Sequence, residues 1–458
     1  WLEAYASADA PDSSAISVSC RQFVDTELIH FSKHDCERSI PSALDGLKPS
    51  QRKIIWVCLK RRLTNEVKVA QLSGSVSELA CYHHGEASLQ GATVGLAQNF
   101  VGSNNINLLE PRGQFGSRIG GGKDSASVRY IFTCLSPITR LIFRPEDDVV
   151  LEYNTDDGTQ VEPVQYYPVI PMLLVNGSVG IGTGFSTDVP RYNPRDVIEA
   201  TRAVLLGNEP PHLIPWQRGF TGDIVLDDTG TKFMVSGRFT PSKKKNTVTV
   251  SEIPFDVSID SFKEKLDKLV ETGTLKDYKD NCTPDVVDIE VTFKNDCKGV
   301  AKTLGLCRNG SLRNMNAFDE TGSLKHFDAP IDIIEAYIGP RLAMYEKRRA
   351  KLLEAAALEG RIADNKVRFI QGQLADEIDL RRKSRAQCAD MLRGHNLDEL
   401  EGSYGYLLRM PADSVTEEKV AELLKEQHSC AERIAALEGA TPQGMWLSDL
   451  AELEEAMI

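Results

Sequence analysis

Apolar side chains along this chain fall into stretches with distinct spacings. Between Ser50 and Arg61, the residues Ile54, Ile55, Val57, Cys58 and Leu59 sit among basic residues with no breaker, which predicts a helix with one packed and one charged face. Pro41–Pro49 before it reads as a loop, and a second helix is predicted over Val69–Cys81 with Ser73 or Ser75 as a candidate cap. The continuous apolar run Val169–Val175 leads into Asn176-Gly177 and then Gly180, Gly182 and Gly184, which predicts a buried strand followed by a close-approach loop. From about Tyr192 to Phe327, β-rich runs (Thr247–Ile253, Val286–Phe293) alternate with helical pieces such as Ile259–Leu269, the texture of a separate α/β domain. Beyond Pro340 no proline occurs until Pro411, and Leu342, Tyr345, Leu352, Leu353, Leu358, Ile362, Phe369, Ile370, Leu374 and Ile378 recur at helical spacing. Thr416–Leu437 is a further charged amphipathic helix able to return antiparallel, so a helical arm with a small globule at its tip is expected.

At 458 residues the chain exceeds what one core usually organises, and two to four domains are expected. With 41% hydrophobic and 26% charged residues, and no apolar run near the ~20 residues of a membrane span, the composition is that of a soluble globular protein with no membrane partner. The start Trp1-Leu2-Glu3-Ala4-Tyr5 has no initiator Met and no signal-like core, and reads as part of a longer polypeptide rather than a processed secreted protein. Ten cysteines without a Cys-x-x-Cys pair point away from a zinc site or disulfide framework and towards a reducing compartment.

The net charge of −13 is unfavourable for a nucleic-acid partner, but its distribution is uneven. Arg38–Lys68 holds eight basic against two acidic residues, whereas Asp398–Ile458 holds fourteen acidic against four basic. A basic working surface near the N-terminus and a solvated acidic end follow from this. Two short helices in the basic region match the pattern of a winged-helix or helix-turn-helix module, a weak signal alone.

Tyr130 follows Arg129 after a glycine-rich polar run, Gly113-Gln114-Phe115-Gly116-Ser117-Arg118-Ile119-Gly120-Gly121-Gly122-Lys123-Asp124. A phenol with a pKa of about 10 is a poor nucleophile unless helped. An adjacent guanidinium can offset charge on a pentavalent phosphorus, and glycine-loop amides can hold a strand. The plain alternative is that Tyr130 opens a strand Tyr130–Thr133 and packs. Gly122-Lys123-Asp124 is no nucleotide loop, because Asp124 stands where Ser or Thr is required. Asn176–Gly184 lacks the helical continuation of a dinucleotide fingerprint. His83 and His84 have only Glu86 beside them as a third metal ligand, so no metal site is assigned.

Several distant segments together resemble one family, the type IIA DNA topoisomerases in their eukaryotic form. They are Ser39–Lys53 (Ser-Ile-Pro-Ser-Ala-Leu-Asp-Gly-Leu-Lys-Pro-Ser-Gln-Arg-Lys), Val67–Val76, Tyr82-His83-His84-Gly85-Glu86, Leu96–Asn105, Gly113–Gly116, Gly121–Asp124 and Arg129-Tyr130. One departure is Val128, where the family usually has proline. The resemblance covers nearly the whole chain and implies an α+β multidomain fold. Its parts would be a winged-helix DNA-binding domain with the catalytic tyrosine over 17–188 after a linker remnant over 1–16, an α/β tower over 189–332, and a long antiparallel helical arm with a C-terminal dimerisation gate over 333–458. Tyr406–Pro411 resembles part of that gate.

By the same resemblance, Tyr130 forms a 5′-phosphotyrosyl link and Arg129 stabilises the transition state. Lys48, Tyr82 and Ser88 touch DNA, Arg52, Lys53, His83 and His84 neighbour phosphates, and Ile181 wedges between base pairs rather than filling a core. The implied enzyme is an ATP-dependent homodimer acting on double-stranded DNA. Relaxation and decatenation follow by duplex passage and religation, in the nucleus, or alternatively in a mitochondrion or a virus-infected cell. Its Mg²⁺ and ATP would both be bound by domains absent from this chain, so the chain alone is not expected to cleave DNA efficiently. A DNA-bending scaffold without catalysis and a helical interaction protein are the rival readings; the second leaves Arg129-Tyr130 unexplained.

Overall fold

The computed structural model describes residues 17–295, 299–411 and 415–457, so the expected linker over 1–16 lies outside the described residues. Two compact units emerge: Trp1–Leu342 with Trp446–Ile458, and Ala343–Met445.

The first unit begins with helix α1 (Ile29–Ser39) and α2 (Pro49–Lys60). In α2 the predicted apolar set Ile54, Ile55, Val57, Cys58 and Leu59 is buried. The Pro41–Pro49 loop between these helices is organised by Asp45, fully buried, which accepts from the Leu47 N–H at 2.9 Å, the Tyr166 N–H at 3.0 Å and Arg52 Nε at 2.7 Å. Gly46 has a φ of +68°, and a Cβ there would stand 2.5 Å from the Leu173 nitrogen, so only glycine fits.

Strand β1 (Val67–Lys68) leads into α3 (Val69–Leu79), followed by α4 (Glu86–Ala97). No serine side chain caps α3. Lys68 holds the cap position, and Ser73 lies buried with its hydroxyl donating to the Val69 carbonyl at 3.0 Å. β1 pairs antiparallel with β2 (Phe132–Thr133), Lys68 facing Phe132.

The run Val169–Val175 is fully buried, as expected, but Met172–Asn176 is a short helix rather than a strand. Pro171 caps it, and such a short apolar run carries too little period to separate the two states. The glycine-rich segment after it is a hairpin, β3 (Ser178–Gly182) and β4 (Phe185–Val189), with Thr183-Gly184 at the turn.

The α/β portion contains an antiparallel sheet built from β5 (Arg238–Pro241), β6 (Thr247–Glu252), β7 (Leu275–Asp280) and β8 (Ile289–Phe293), in the order β7-β8-β6-β5. Helix α5 (Ile259–Glu271), capped by Ser258, buries Ile259, Phe262 and Leu266 against Val250, Ile289 and Val291 of this sheet. A second sheet joins Asp223–Leu226, Lys232–Ser236 and Cys307–Ser311.

Helix α6 (Pro330–Leu374) starts before the predicted point and runs through Pro340. Burial of Ile333, Ile334 and Tyr337 on one face holds the turn that the proline would otherwise weaken. In the second unit, α7 (Glu417–Gly439, capped by Thr416) lies antiparallel to α6. Gln427 bonds Asp364 and Arg433 pairs with Glu359, so the numbers rise on one helix as they fall on the other. Phe369, Ile370, Ile378, Leu392, Tyr404 and Leu407 form a separate core there, matching the predicted globule. Helix α8 (Pro442–Ala456) ends the chain, and its Trp446–Ile458 portion belongs to the first unit rather than to the arm expected over 333–458.

Candidate nucleic-acid interface

Tyr130 does not begin a strand. It occupies a turn over Val128–Tyr130 whose closing bond runs from the Tyr130 N–H to the Ser127 carbonyl at 2.9 Å, and its residue is 76% exposed. Arg129 is also exposed. The turn is braced by the first N–H groups of α3: Val69 donates to the Ile131 carbonyl at 3.1 Å and Ala70 to the Val128 carbonyl at 3.2 Å. These are donors that a helix start leaves without intrahelical partners. The Val128 brace uses only a carbonyl, which proline would also supply, so the departure at this position leaves the anchor intact.

On the far side, Phe132 and Arg112 exchange backbone bonds of 2.9 and 3.0 Å, and Lys68 Nζ stands 5.8 Å from the Phe132 ring centroid. Lys68 and Arg112 are exposed cations beside the tyrosine turn that sequence reasoning did not single out as site residues. Arg112 shares part of its charge with Glu66 at 3.5 Å. Only the strand pairing brings them there, and nothing in local sequence signals it.

The second cluster comprises Tyr82, His83, His84 and Ser88. The His84 ring contacts Tyr82 at 5.4 Å and His34 of α1 at 5.6 Å between centroids. Burial lowers the His84 pKa below its ordinary value, and Arg38, His34, His83 and Lys53 lower it further, a sign of a locally positive field. His83 is instead tied to Asp156 at 3.0 Å while remaining exposed. Ser88 is exposed in the first turn of α4. Among the described residues no three His, Cys, Asp or Glu side chains gather into a cluster able to hold a metal, so these residues do not fit a metal site.

Two of the expected phosphate neighbours are used inside the fold. Arg52 is buried and pairs bidentately with Asp45, Nε at 2.7 Å and Nη2 at 3.0 Å, and also donates to the Leu47 carbonyl. Lys53 donates to the Ala80 carbonyl at 2.5 Å and to Glu162 at 2.8 Å. A cation so desolvated and paired has no donor to offer a phosphate without breaking the pair. Neither residue therefore serves as a DNA contact. Lys48 is intermediate: half-buried, with burial lowering its pKa, its Nζ donates to the Val179 carbonyl of β3 at 2.8 Å.

Ile181 is 80% exposed on the β3–β4 hairpin, so it is not a core isoleucine. Val179 on the same strand face and Phe185 on β4 are exposed too. The neighbouring glycines face the other way. A Cβ on Gly180 would lie 2.0 Å from the Ser39 carbonyl oxygen, and one on Gly182 3.0 Å from the Cys36 sulfur. The close approach they permit is therefore to α1, and it lifts Ile181 outward as a rigid, apolar tip. Thr183 secures the turn by donating to Asp35 at 2.9 Å.

The family model of DNA gyrase/topoisomerase IV matches residues 38–451. The chain belongs to that family, the type IIA DNA topoisomerases. Its relatives of like sequence are eukaryotic: DNA topoisomerase 2 of Arabidopsis thaliana is 38% identical over all of this chain and 34% of its own length, and DNA topoisomerase 2-alpha of Gallus gallus is 38% identical over 95% of this chain and 30% of its own. The chain thus spans about a third of the length of these relatives. The crystal structure of the Plasmodium falciparum topoisomerase II DNA-binding, cleavage and re-ligation domain matches with a TM-score of 0.92 and 35% identity, over 100% of this chain and 67% of that one.

Proposed function

We propose that this chain is the breakage-and-rejoining core of a topoisomerase II, with Tyr130 as nucleophile. The observation that carries the reading is an exposed phenol beside an exposed guanidinium, on a turn braced by a helix start in a DNA-topoisomerase fold. Tyr130 Oη loses its proton and bonds to phosphorus, while the 3′-oxygen leaves as a hydroxyl, giving a 5′-phosphotyrosyl link. Religation runs the exchange backwards. Arg129 offsets the charge that builds on phosphorus. Lys48, Tyr82, His83, His84 and Ser88, joined by Lys68 and Arg112, hold the duplex, and Ile181 unstacks a base step to bend it.

A double-strand break needs two such tyrosines, which favours a two-fold homodimer. The complete enzyme would pass a second duplex through the break, changing linking number in steps of two, and would work in the nucleus. Mg²⁺ and ATP would be held by domains outside this chain.

The test is covalent DNA capture by a polypeptide with its metal-binding segment restored. Tyr130→Phe should abolish capture while duplex binding persists. If the unsubstituted protein captures no DNA, the DNA-bending scaffold reading replaces this one.

A further inference from the structure

We infer that Arg118 is a positioning residue for the tyrosine turn: its buried ion pair with Glu252 fastens the glycine-rich loop to the α/β sheet. The inference rests on Tyr130 being the nucleophile.

Arg118 is 3% and Glu252 2% exposed. Arg118 Nη2 donates to Glu252 Oε1 and, at 2.9 Å, to the Ile253 carbonyl at the end of β6. Glu252 is itself held, its Oε2 accepting from the Thr221 N–H at 3.0 Å and hydroxyl at 2.8 Å, and its Oε1 from the Ile253 N–H at 2.9 Å. The backbone adds a second attachment. The first N–H groups of α5, from Ile259 and Asp260, donate to the Arg118 and Ile119 carbonyls at 3.2 and 3.0 Å. Loop carbonyls thereby satisfy donors that a helix start would otherwise leave to water.

The loop moves as one piece because Asp124 ties it to itself. Its carboxylate accepts from the Ser117 N–H at 2.9 Å, the Ser117 hydroxyl and Gln114 Nε2 at 3.2 Å. The Gly122 N–H bonds the Ser117 carbonyl at 3.0 Å, and a Cβ on Gly120 would meet Asp124 at 2.7 Å, so the knot has no slack. From it the chain reaches Tyr130 in a few residues, with Ala126 N–H on the Gln114 carbonyl at 2.9 Å. The tyrosine turn is thus suspended between α3 on one side and the Arg118 knot on the other.

An ion pair this deeply buried is a poor choice for stability alone, since apolar residues of like volume do as well or better. Arg118 also leaves its Nε without a hydrogen-bond partner. What the pair supplies is direction, a fixed distance between the α/β sheet and the loop that carries the nucleophile. Displacing a reacting group by an ångström can cost on the order of a hundredfold in rate.

The experiment compares Glu252→Gln, Arg118→Lys and Arg118→Ala in the complete enzyme with Mg²⁺ and a nicked duplex. In the variants the rate of covalent capture should fall by about 10- to 100-fold at unchanged duplex affinity, with Arg118→Lys retaining more than Arg118→Ala. A purely structural pair would lower affinity and thermal midpoint together with rate, and that outcome, or wild-type capture rates in folded variants, overturns the inference. Absence of capture by the unsubstituted enzyme would instead sink the reading of Tyr130. Hydrogen exchange on the intact chain decides for the clamp in that case, and in the case of variants that fail to fold. The Ser117 and Gly122 amides should be protected like those of β6 and β8, and exchange at open-loop rates overturns the clamp.

Discussion

Tyr130 is 76% exposed, whereas Tyr192, Tyr337 and Tyr345 are fully buried, so the same side chain serves packing in one place and chemistry in another. Burial raises the Tyr192 hydroxyl well above its ordinary value, beyond any role in catalysis at neutral pH. The same division runs through the cations: Arg52 is spent on Asp45, while Arg129 and Lys68 face solvent. His84 allows a pH test. Its lowered pKa means that the free folded chain favours neutral imidazole, and a docked phosphate would restore the proton. Duplex affinity should therefore rise as pH falls from about 8 to about 6. Folding stability should move oppositely, because the unfolded chain takes up this proton more readily as pH falls. Fluorescence anisotropy at constant ionic strength checks it, and His84→Gln should flatten the binding profile. An unchanged slope in that variant removes His84 from the interface.

Among the elements, the β3–β4 hairpin separates packing from function most cleanly, since its two faces alternate residue by residue. Gly180 faces α1 with no room for a methyl, so Gly180→Ala should cost about 1–3 kcal/mol by overpacking. Ile181 faces solvent, so Ile181→Ala should leave unfolding midpoints within about 0.5 kcal/mol of the parent. The same Ile181→Ala should reduce duplex bending measured by end-to-end energy transfer. Equal bending by parent and variant would refute the wedge. The sequence predicted the exposed tip through family likeness, yet placed the glycines' close approach in the wrong partner. It also missed the helix Met172–Asn176, because five apolar residues satisfy strand and helix patterns alike.

At the scale of the molecule, the last helix closes a long excursion. Trp446, fully buried, donates its indole N–H to the Val169 carbonyl at 2.8 Å and meets Tyr337 edge-on at 5.9 Å. Arg144 pairs with Asp449 at 2.8 Å and Arg202 with Glu454 at 2.7 Å, so part of the acidic C-terminal surplus is neutralised rather than solvated. Trp446→Ala should destabilise the first unit by about 3–5 kcal/mol in denaturant unfolding. A change under about 1 kcal/mol would show that α8 contributes little to that unit.

The sequence by itself determined the elements whose information is local: the amphipathic helices α2 and α7, the α/β texture after Tyr192, the glycine-rich approach to Arg129-Tyr130. Period and turn chemistry are written in neighbouring residues, and the family's motifs preserve their order. Only the tertiary structure decided which charges remain free. Lys53 meets a carboxylate 109 positions away and Arg118 one 134 positions away, and no local pattern encodes such pairs. A cation's availability to DNA depends on what desolvates and neutralises it, and the folded chain alone brings those groups together.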